Sequence, residues 1–194
     1  MRKPLVVLVA LCFLPFFGST VRGEGRATGN ASFAFRMKFL EQDDWGKLDN
    51  QLGWGLLATF GRTTWPVLVA VDYLSSENED IELGPFGILE PDNFTVVGKS
   101  KTRELNVGAR KIWRRRGFRP YVGAGLAMIK AEFKREFVSD RDSAVGGWAS
   151  AGFLVGHNFV FGMDMRLSRA EVQLFGNDVD AGGIHYELFL GGSW

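Results

Sequence analysis

The stretch FVFGMDMRL, residues 159–167, alternates large apolar side chains with smaller or charged ones. An alternation with a period of two is the pattern of a β-strand that has two different faces. One face here carries Phe, Met and Leu side chains, and the other carries Gly162, Asp164 and Arg166. The same pattern recurs along the chain and predicts eight strands, over residues 32–40, 51–60, 65–74, 104–113, 118–128, 148–155, 159–168 and 183–191.

The links between these strands alternate in length. Short links are predicted at residues 61–64, 114–117 and 156–158, and longer, mostly polar links at 41–50, 75–94, 134–144 and 169–182. Short turns therefore lie at one end of the strands and long loops at the other, which is typical of outer-membrane barrels. We predict an all-β fold, an eight-stranded antiparallel transmembrane up-and-down β-barrel, with both termini in the periplasm and the long loops outside.

The apolar face is predicted to point outward. In a soluble barrel the apolar face lies inside and the outer face is charged and bulky. In this chain the opposite face is mostly Gly, Ala and Ser, and side chains such as Phe161 and Met163 would overfill an eight-stranded lumen. Trp65 and Trp113 lie near strand ends, where an interfacial aromatic girdle is expected. These features favour a barrel whose apolar face contacts lipid.

The amino terminus has the pattern of a secretory signal peptide. Arg2 and Lys3 precede an apolar run over residues 5–17, and small residues follow near Gly23. We predict a signal peptide over residues 1–23 and a barrel domain over residues 24–194. The chain has 23 Lys and Arg against 22 Asp and Glu, a balance that argues against a nucleic-acid partner. Its single cysteine, Cys12, falls in the signal, so the exported domain is predicted to have no disulfide.

Two segments support a family resemblance. The stretch RPYVGAGL, residues 119–126, and the closing hairpin 159–194, with an inward Glu187 and a terminal Trp194, resemble small OmpA-like and OmpX-like outer-membrane proteins. The resemblance implies an eight-stranded barrel in the outer membrane of a Gram-negative bacterium, inserted by the barrel-assembly machinery. We expect a monomer surrounded by outer-membrane lipid and lipopolysaccharide, with no cofactor.

Strand parity places charged side chains inside the predicted barrel. Five are basic and four are acidic: Arg36, Lys38, Arg110, Arg119 and Arg166, with Asp72, Glu104, Asp164 and Glu187. An unpaired buried charge is very costly, so these groups are expected to pair and plug the lumen. This favours a structural or surface-interacting barrel. A small passive channel or a carrier for apolar molecules is the alternative.

Ser168 and His185 raise a third alternative, a lipid A-modifying enzyme, because some small outer-membrane barrels use a Ser and a His. Those enzymes carry a His two residues before the Ser, where this chain has Arg166. We therefore expect no catalytic residues. Asp178 and Asp180 lie in the last loop near His185, but without a spaced pair of strong ligands they predict no metal site.

A basic group is predicted on the outward face near the outer rim. It consists of Lys99, Lys101, Arg103 and Lys130. If Trp113 pairs with Phe118, Lys101 lies opposite Lys130, and like charges directly opposite repel unless an anion separates them. We predict contact with lipopolysaccharide phosphates here. The alternative is that these side chains only extend into water.

Overall fold

The computed structural model describes residues 25–40, 45, 48–83, 94–113, 117–135 and 138–194. Its strands are β1 Ala27–Phe39, β2 Asn50–Arg62, β3 Leu68–Leu83, β4 Phe94–Ile112, β5 Phe118–Arg135, β6 Val138–Gly156, β7 Phe159–Arg169, β8 Glu171–Leu174, β9 Asn177–Asp180 and β10 Gly183–Ser193. All except β8 and β9 close into one antiparallel barrel, in the order β1-β10-β7-β6-β5-β4-β3-β2. The predicted eight-stranded barrel is confirmed. The predicted signal peptide lies outside the described residues.

The two faces of the barrel strands differ as the alternation predicted. Along β1 and β7 exposed and buried positions alternate almost without exception. Phe35 and Leu167 are 62% and 57% exposed on the outer face, whereas their neighbours Arg36 and Arg166 are buried inside. The barrel thus has an apolar outer belt and a polar interior. None of the described segments is a helix long and apolar enough to cross a membrane.

The strands β3 to β6 are longer than predicted at the loop end. β5 continues to Arg135 and β6 begins at Val138, so the predicted long link over residues 134–144 is wrong. Above the apolar belt the outer face of a strand meets water and carries polar side chains, so hydropathy no longer marks the strand, although the backbone ladder continues. The sequence pattern therefore shows only the part of each strand that lies in the membrane.

The predicted loop 169–182 contains a small hairpin made of β8 and β9. Its Val172 and Leu174 are buried in an apolar cluster with Ile129 and Trp148, which come from the inner faces of β5 and β6. The chain just after the hairpin reaches over the lumen, where the carbonyl oxygen of Ala181 accepts a hydrogen bond. The hairpin therefore packs inside the extended β5–β6 wall and covers part of the barrel mouth.

The register between β4 and β5 differs from the predicted one by two residues. Ile112 lies opposite Tyr121, and the backbone N–H of Trp113 donates to the carbonyl oxygen of Pro120 at 2.9 Å. The predicted pairing of Trp113 with Phe118 is therefore wrong, because the turn is wider than the sequence suggested. A shift of two residues keeps every side chain on its predicted face but changes its cross-strand partner.

Candidate functional site

Eight of the nine predicted interior charges lie on the inner face of the barrel and are at most 3% exposed, and the ninth, Arg119, is only partly buried. The eight buried charges form two groups. The Glu104 group contains Arg36, Lys38 and Glu104, and the Asp72 group contains Asp72, Arg110, Asp164, Arg166 and Glu187. Each group joins side chains from several strands, so the charges are brought together by closure of the barrel.

The Glu104 group centres on one carboxylate. The Lys38 ammonium donates a hydrogen bond to Glu104 Oε1 at 2.7 Å, and the Arg36 guanidinium lies 3.5 Å from the same oxygen. Lys38 also donates to Thr102 Oγ1 at 3.2 Å and to the carbonyl oxygen of Ala181 at 2.6 Å. An ammonium has three donors, so every donor of this buried Lys has an acceptor.

The Asp72 group centres on a carboxylate that accepts two guanidinium groups. Asp72 Oδ2 accepts hydrogen bonds from Arg110 at 3.0 Å and from Arg166 at 2.6 Å. Arg166 also lies 3.4 Å from the Asp164 carboxylate and 4.0 Å from the Glu187 carboxylate. Arg166 is therefore the cation that connects the three acids of this group.

Two aromatic rings fill the lumen beside the Asp72 group. The Arg166 guanidinium lies 4.8 Å from the centre of the Trp148 ring, and Arg110 lies 4.8 Å from the centre of the Tyr121 ring. Such cation–π contacts become stronger away from water. The Trp148 ring fits because glycines face it: a Cβ atom at Gly125 would lie 2.9 Å from Trp148 Nε1, and one at Gly123 would lie 3.0 Å from Trp148 Cζ3.

The ion pairs cross the whole width of the barrel. Asp72 is on β3 and Arg166 is on β7, which are four strands apart in either direction around the ring. Glu104 on β4 and His185 on β10 are likewise four strands apart, and their Oε1 and Nε2 atoms lie 3.6 Å from each other. Side chains from opposite walls therefore meet at two places in the lumen.

Ser168 and His185 lie within hydrogen-bond distance, which the sequence did not predict. Ser168 Oγ is 3.0 Å from His185 Nε2, and both residues are buried inside the barrel. The other ring nitrogen, Nδ1, contacts the guanidinium of Arg36, which can only donate. Nδ1 is therefore the acceptor, and the ring proton lies on Nε2, the nitrogen that faces Ser168. His185 in this arrangement donates to the hydroxyl and has no lone pair there to act as its general base.

The alternation puts Trp148 and Tyr121 on the inner face of their strands, but it does not give the partner of either ring. Ser150 pairs with Arg166 across β6 and β7, so Trp148 is a diagonal neighbour of that Arg. The short turn between β6 and β7 limits their register to a few choices, so the proximity of Trp148 to Arg166 is a contact that the sequence could indicate. Among the described residues, no group of three or more His, Cys, Asp or Glu side chains is arranged to hold a metal ion.

The four outward basic residues lie on the predicted face but in a different arrangement. Lys101 lies opposite Glu132, and Lys130 lies opposite Arg103, so the predicted pairing of Lys101 with Lys130 is wrong. The cause is the wider β4–β5 turn. Lys101 Nζ donates to Glu77 Oε2 at 2.9 Å, and this hydrogen bond lowers the pKa of the Glu77 carboxyl.

Two of these basic residues are already paired, and two are not. Lys99 forms an ion pair with Glu79, as Lys101 does with Glu77. In the part of the chain that the structure describes, Arg103 and Lys130 form no ion pair with an acidic side chain. Their next outward neighbours toward the membrane are Leu105 and Met128, which are 42% and 55% exposed. Arg103 and Lys130 thus form a cationic pair directly above the apolar belt.

A closed antiparallel barrel with an apolar outer belt is the architecture with which β-proteins span bacterial outer membranes. The chain is an eight-stranded β-barrel of the outer membrane.

Solved structures agree with this class. The chain is similar to Ail of Yersinia pestis, solved with the heparin analogue sucrose octasulfate, with 17% identity, a TM-score of 0.60 and coverage of 87% of this chain and 99% of Ail. It is also similar to Neisserial surface protein A, with 15% identity, a TM-score of 0.52 and coverage of 86% and 95%. The N-terminal β-barrel domain of OprF from Pseudomonas aeruginosa gives 14% identity, a TM-score of 0.52 and coverage of 88% and 100%.

At these identities the likeness shows the fold, and the predicted resemblance to small outer-membrane barrels is confirmed at that level. No family model matches the chain, and no curated protein matches it in sequence.

Proposed function

We propose that this protein is a structural, surface-interacting outer-membrane barrel whose lumen is closed by its ion-pair network. The observation that carries the proposal is the 2.6 Å hydrogen bond from Arg166 to Asp72, which joins opposite walls of the barrel. The two groups together contain four cations and four anions, and the rings of Trp148 and Tyr121 occupy space beside them. Separating such pairs to open a path would expose unpaired charges to a narrow lumen, which is costly.

The same contacts argue against an enzyme. Hydrolysis of a lipid needs a nucleophile that an acyl chain can reach and a base that takes its proton. Ser168 is buried inside the barrel and receives a hydrogen bond from His185, which in turn contacts Arg36. Neither requirement is met by this pair of side chains. The protein is therefore proposed to have no catalytic residues.

A three-way vesicle assay tests this function. Purified protein is reconstituted into vesicles that contain lipopolysaccharide, and efflux of potassium, uptake of an apolar dye and release of fatty acid from lipid A are measured together. The proposal predicts background values in all three. Potassium efflux that grows with protein content would favour the channel, dye uptake the carrier, and fatty-acid release the enzyme.

We further propose that Arg103 and Lys130 bind lipopolysaccharide phosphates. These two cations face each other across β4 and β5, and Ser75 and Ser143 are their outer cross-strand neighbours on β3 and β6. Like charges placed opposite each other repel. An anion between them would remove that repulsion, and the exposed hydroxyl of Ser143 can donate a hydrogen bond to a phosphate oxygen.

The chain offers a matched control for this site. Arg103→Gln with Lys130→Gln removes two unpaired cations, and Lys99→Gln with Lys101→Gln removes two cations that are paired with Glu79 and Glu77. We expect the first variant to lose most of the thermal stabilisation that lipopolysaccharide adds over a neutral detergent, and the second to keep it. Equal losses in both variants, or no loss in the first, would refute the site.

A further inference from the structure

The loop end of the barrel holds a feature that is separate from the closed lumen. A cavity of about 320 Å³ lies between the end of β5, the β8–β9 hairpin and Trp45. Its walls include the rings of Trp45, Phe133 and Phe175, and the exposed side chains of Asn177 and Asp178 also line it. A site of this size with aromatic walls and a few polar groups is typical of small-molecule pockets.

The three rings are set at large angles to one another. The centres of Trp45 and Phe133 are 6.1 Å apart with an interplanar angle of 47°, and those of Phe133 and Phe175 are 5.9 Å apart at 87°. The face of an aromatic ring carries the negative part of its quadrupole and attracts cations. Several rings at different angles around one space are how proteins recognise quaternary ammonium groups.

Phe175 has an unfavourable backbone conformation for its side chain. Its φ is 52° and that of Gly176 is 80°, so the two residues form the tight turn between Leu174 and Asn177. Positive φ values at both central positions favour Asn, Asp or Gly, and a bulky residue there is an outlier. The Phe175 side chain is also 46% exposed. The turn geometry therefore does not explain a Phe at this position; its ring contacts Phe133 at the cavity, and strained residues do occur in ligand sites.

The hairpin side of the cavity is acidic. The charged residues of the hairpin are Glu171, Asp178 and Asp180 and none of its residues is basic, although Asp180 is paired with Arg169 of β7 at 3.1 Å. From β6, Asp140 and Asp142 accept hydrogen bonds from backbone N–H groups of the hairpin at 2.6 Å and 2.8 Å. Acidic groups around aromatic walls create a negative potential that favours a cationic ligand.

We propose that this pocket, the aromatic pocket of Trp45, Phe133 and Phe175, binds a small organic cation of the quaternary or alkylammonium class. The rings contact the alkyl groups around the charge, and Asp178 at the rim supplies the long-range attraction. The site lies above the ion-pair network and does not depend on whether the lumen conducts.

Calorimetric titration of the full-length mature protein in detergent micelles tests the ligand chemistry. Choline is compared with 3,3-dimethylbutan-1-ol, which has the same shape without the charge. We expect choline to bind and the neutral alcohol to bind at least about tenfold more weakly. Equal affinity for the two compounds would show an apolar pocket without cation recognition, and absence of choline binding would refute the proposal outright.

A substitution at the turn separates ligand binding from folding. Phe175→Asn removes one ring and places a favoured residue at the positive φ, so we expect choline affinity to fall by about tenfold while the unfolding midpoint stays or rises. Phe161→Leu on the lipid-facing surface is the control and should change neither value. Unchanged choline affinity in Phe175→Asn would contradict the assignment of this ring to the site.

Discussion

At the scale of single residues, Glu104 is predicted to matter more to stability than Glu187. Glu104 accepts a hydrogen bond from Lys38 and lies close to Arg36, whereas Glu187 lies 4.0 Å from Arg166 and neither of its oxygens has a hydrogen-bond partner in the described part of the chain. Glu104→Gln leaves two buried cations without their anion and should cost about 3–5 kcal/mol. Glu187→Gln should cost clearly less. Urea unfolding in lipid vesicles, followed by tryptophan fluorescence, compares them; equal costs would contradict this ranking.

Which side chains lie inside could be predicted from the sequence, because a strand with a period of two leaves each residue only two directions. Which of these inward side chains pair with each other could not be predicted. Arg166 and Asp72 are 94 residues apart in the chain and meet only because β7 and β3 lie opposite each other in the closed ring. The contact between Ser168 and His185 was missed for a different reason: the two residues are diagonal neighbours on the adjacent strands β7 and β10, whose register the hydropathy pattern does not give.

At the scale of strands, a glycine allows a large ring to fill the lumen. A Cβ atom at Gly125 would lie 2.2 Å from the Val107 carbonyl oxygen and 2.9 Å from Trp148 Nε1. Gly125→Ala should therefore force the strands or the ring to move and destabilise the barrel by about 1–3 kcal/mol. Gly147→Ala is the control, since its Cβ would meet nothing closer than 3.7 Å. The unfolding midpoints of the two variants check this, and an unperturbed Gly125→Ala would show that Trp148 is not tightly packed.

Strand existence and faces were predictable, but strand ends and registers were not. The pairing of β4 with β5 depends on how many residues the turn uses, and no hydropathy signal reports that number. Because the register is shifted by two residues, the residue opposite Lys130 is Arg103 and not Lys101. The predicted anion site changes accordingly. The β8–β9 hairpin was missed for a related reason, since four-residue strands outside the membrane have too few positions to show a period.

At the scale of the whole molecule, the topology makes a labelling prediction. Ser139 and Asn177 lie at the loop end, and His157 lies in the tight turn at the other end. Single cysteines at Ser139 and Asn177, and by the same topology at Asp49 and Asn78, should react with an impermeant maleimide on intact cells. A cysteine at His157 should react only after the outer membrane is opened. Labelling of His157→Cys on intact cells would reverse the proposed orientation.

Ion conductance in a planar bilayer shows directly whether the ion-pair network closes the barrel. The wild-type protein is recorded beside the variant Asp72→Ala with Arg166→Ala, which removes the hydrogen bond that joins opposite walls of the lumen. We expect no conductance from the wild type and discrete conductance steps from the variant. Steady wild-type conductance of the same size as that of the variant would contradict this expectation.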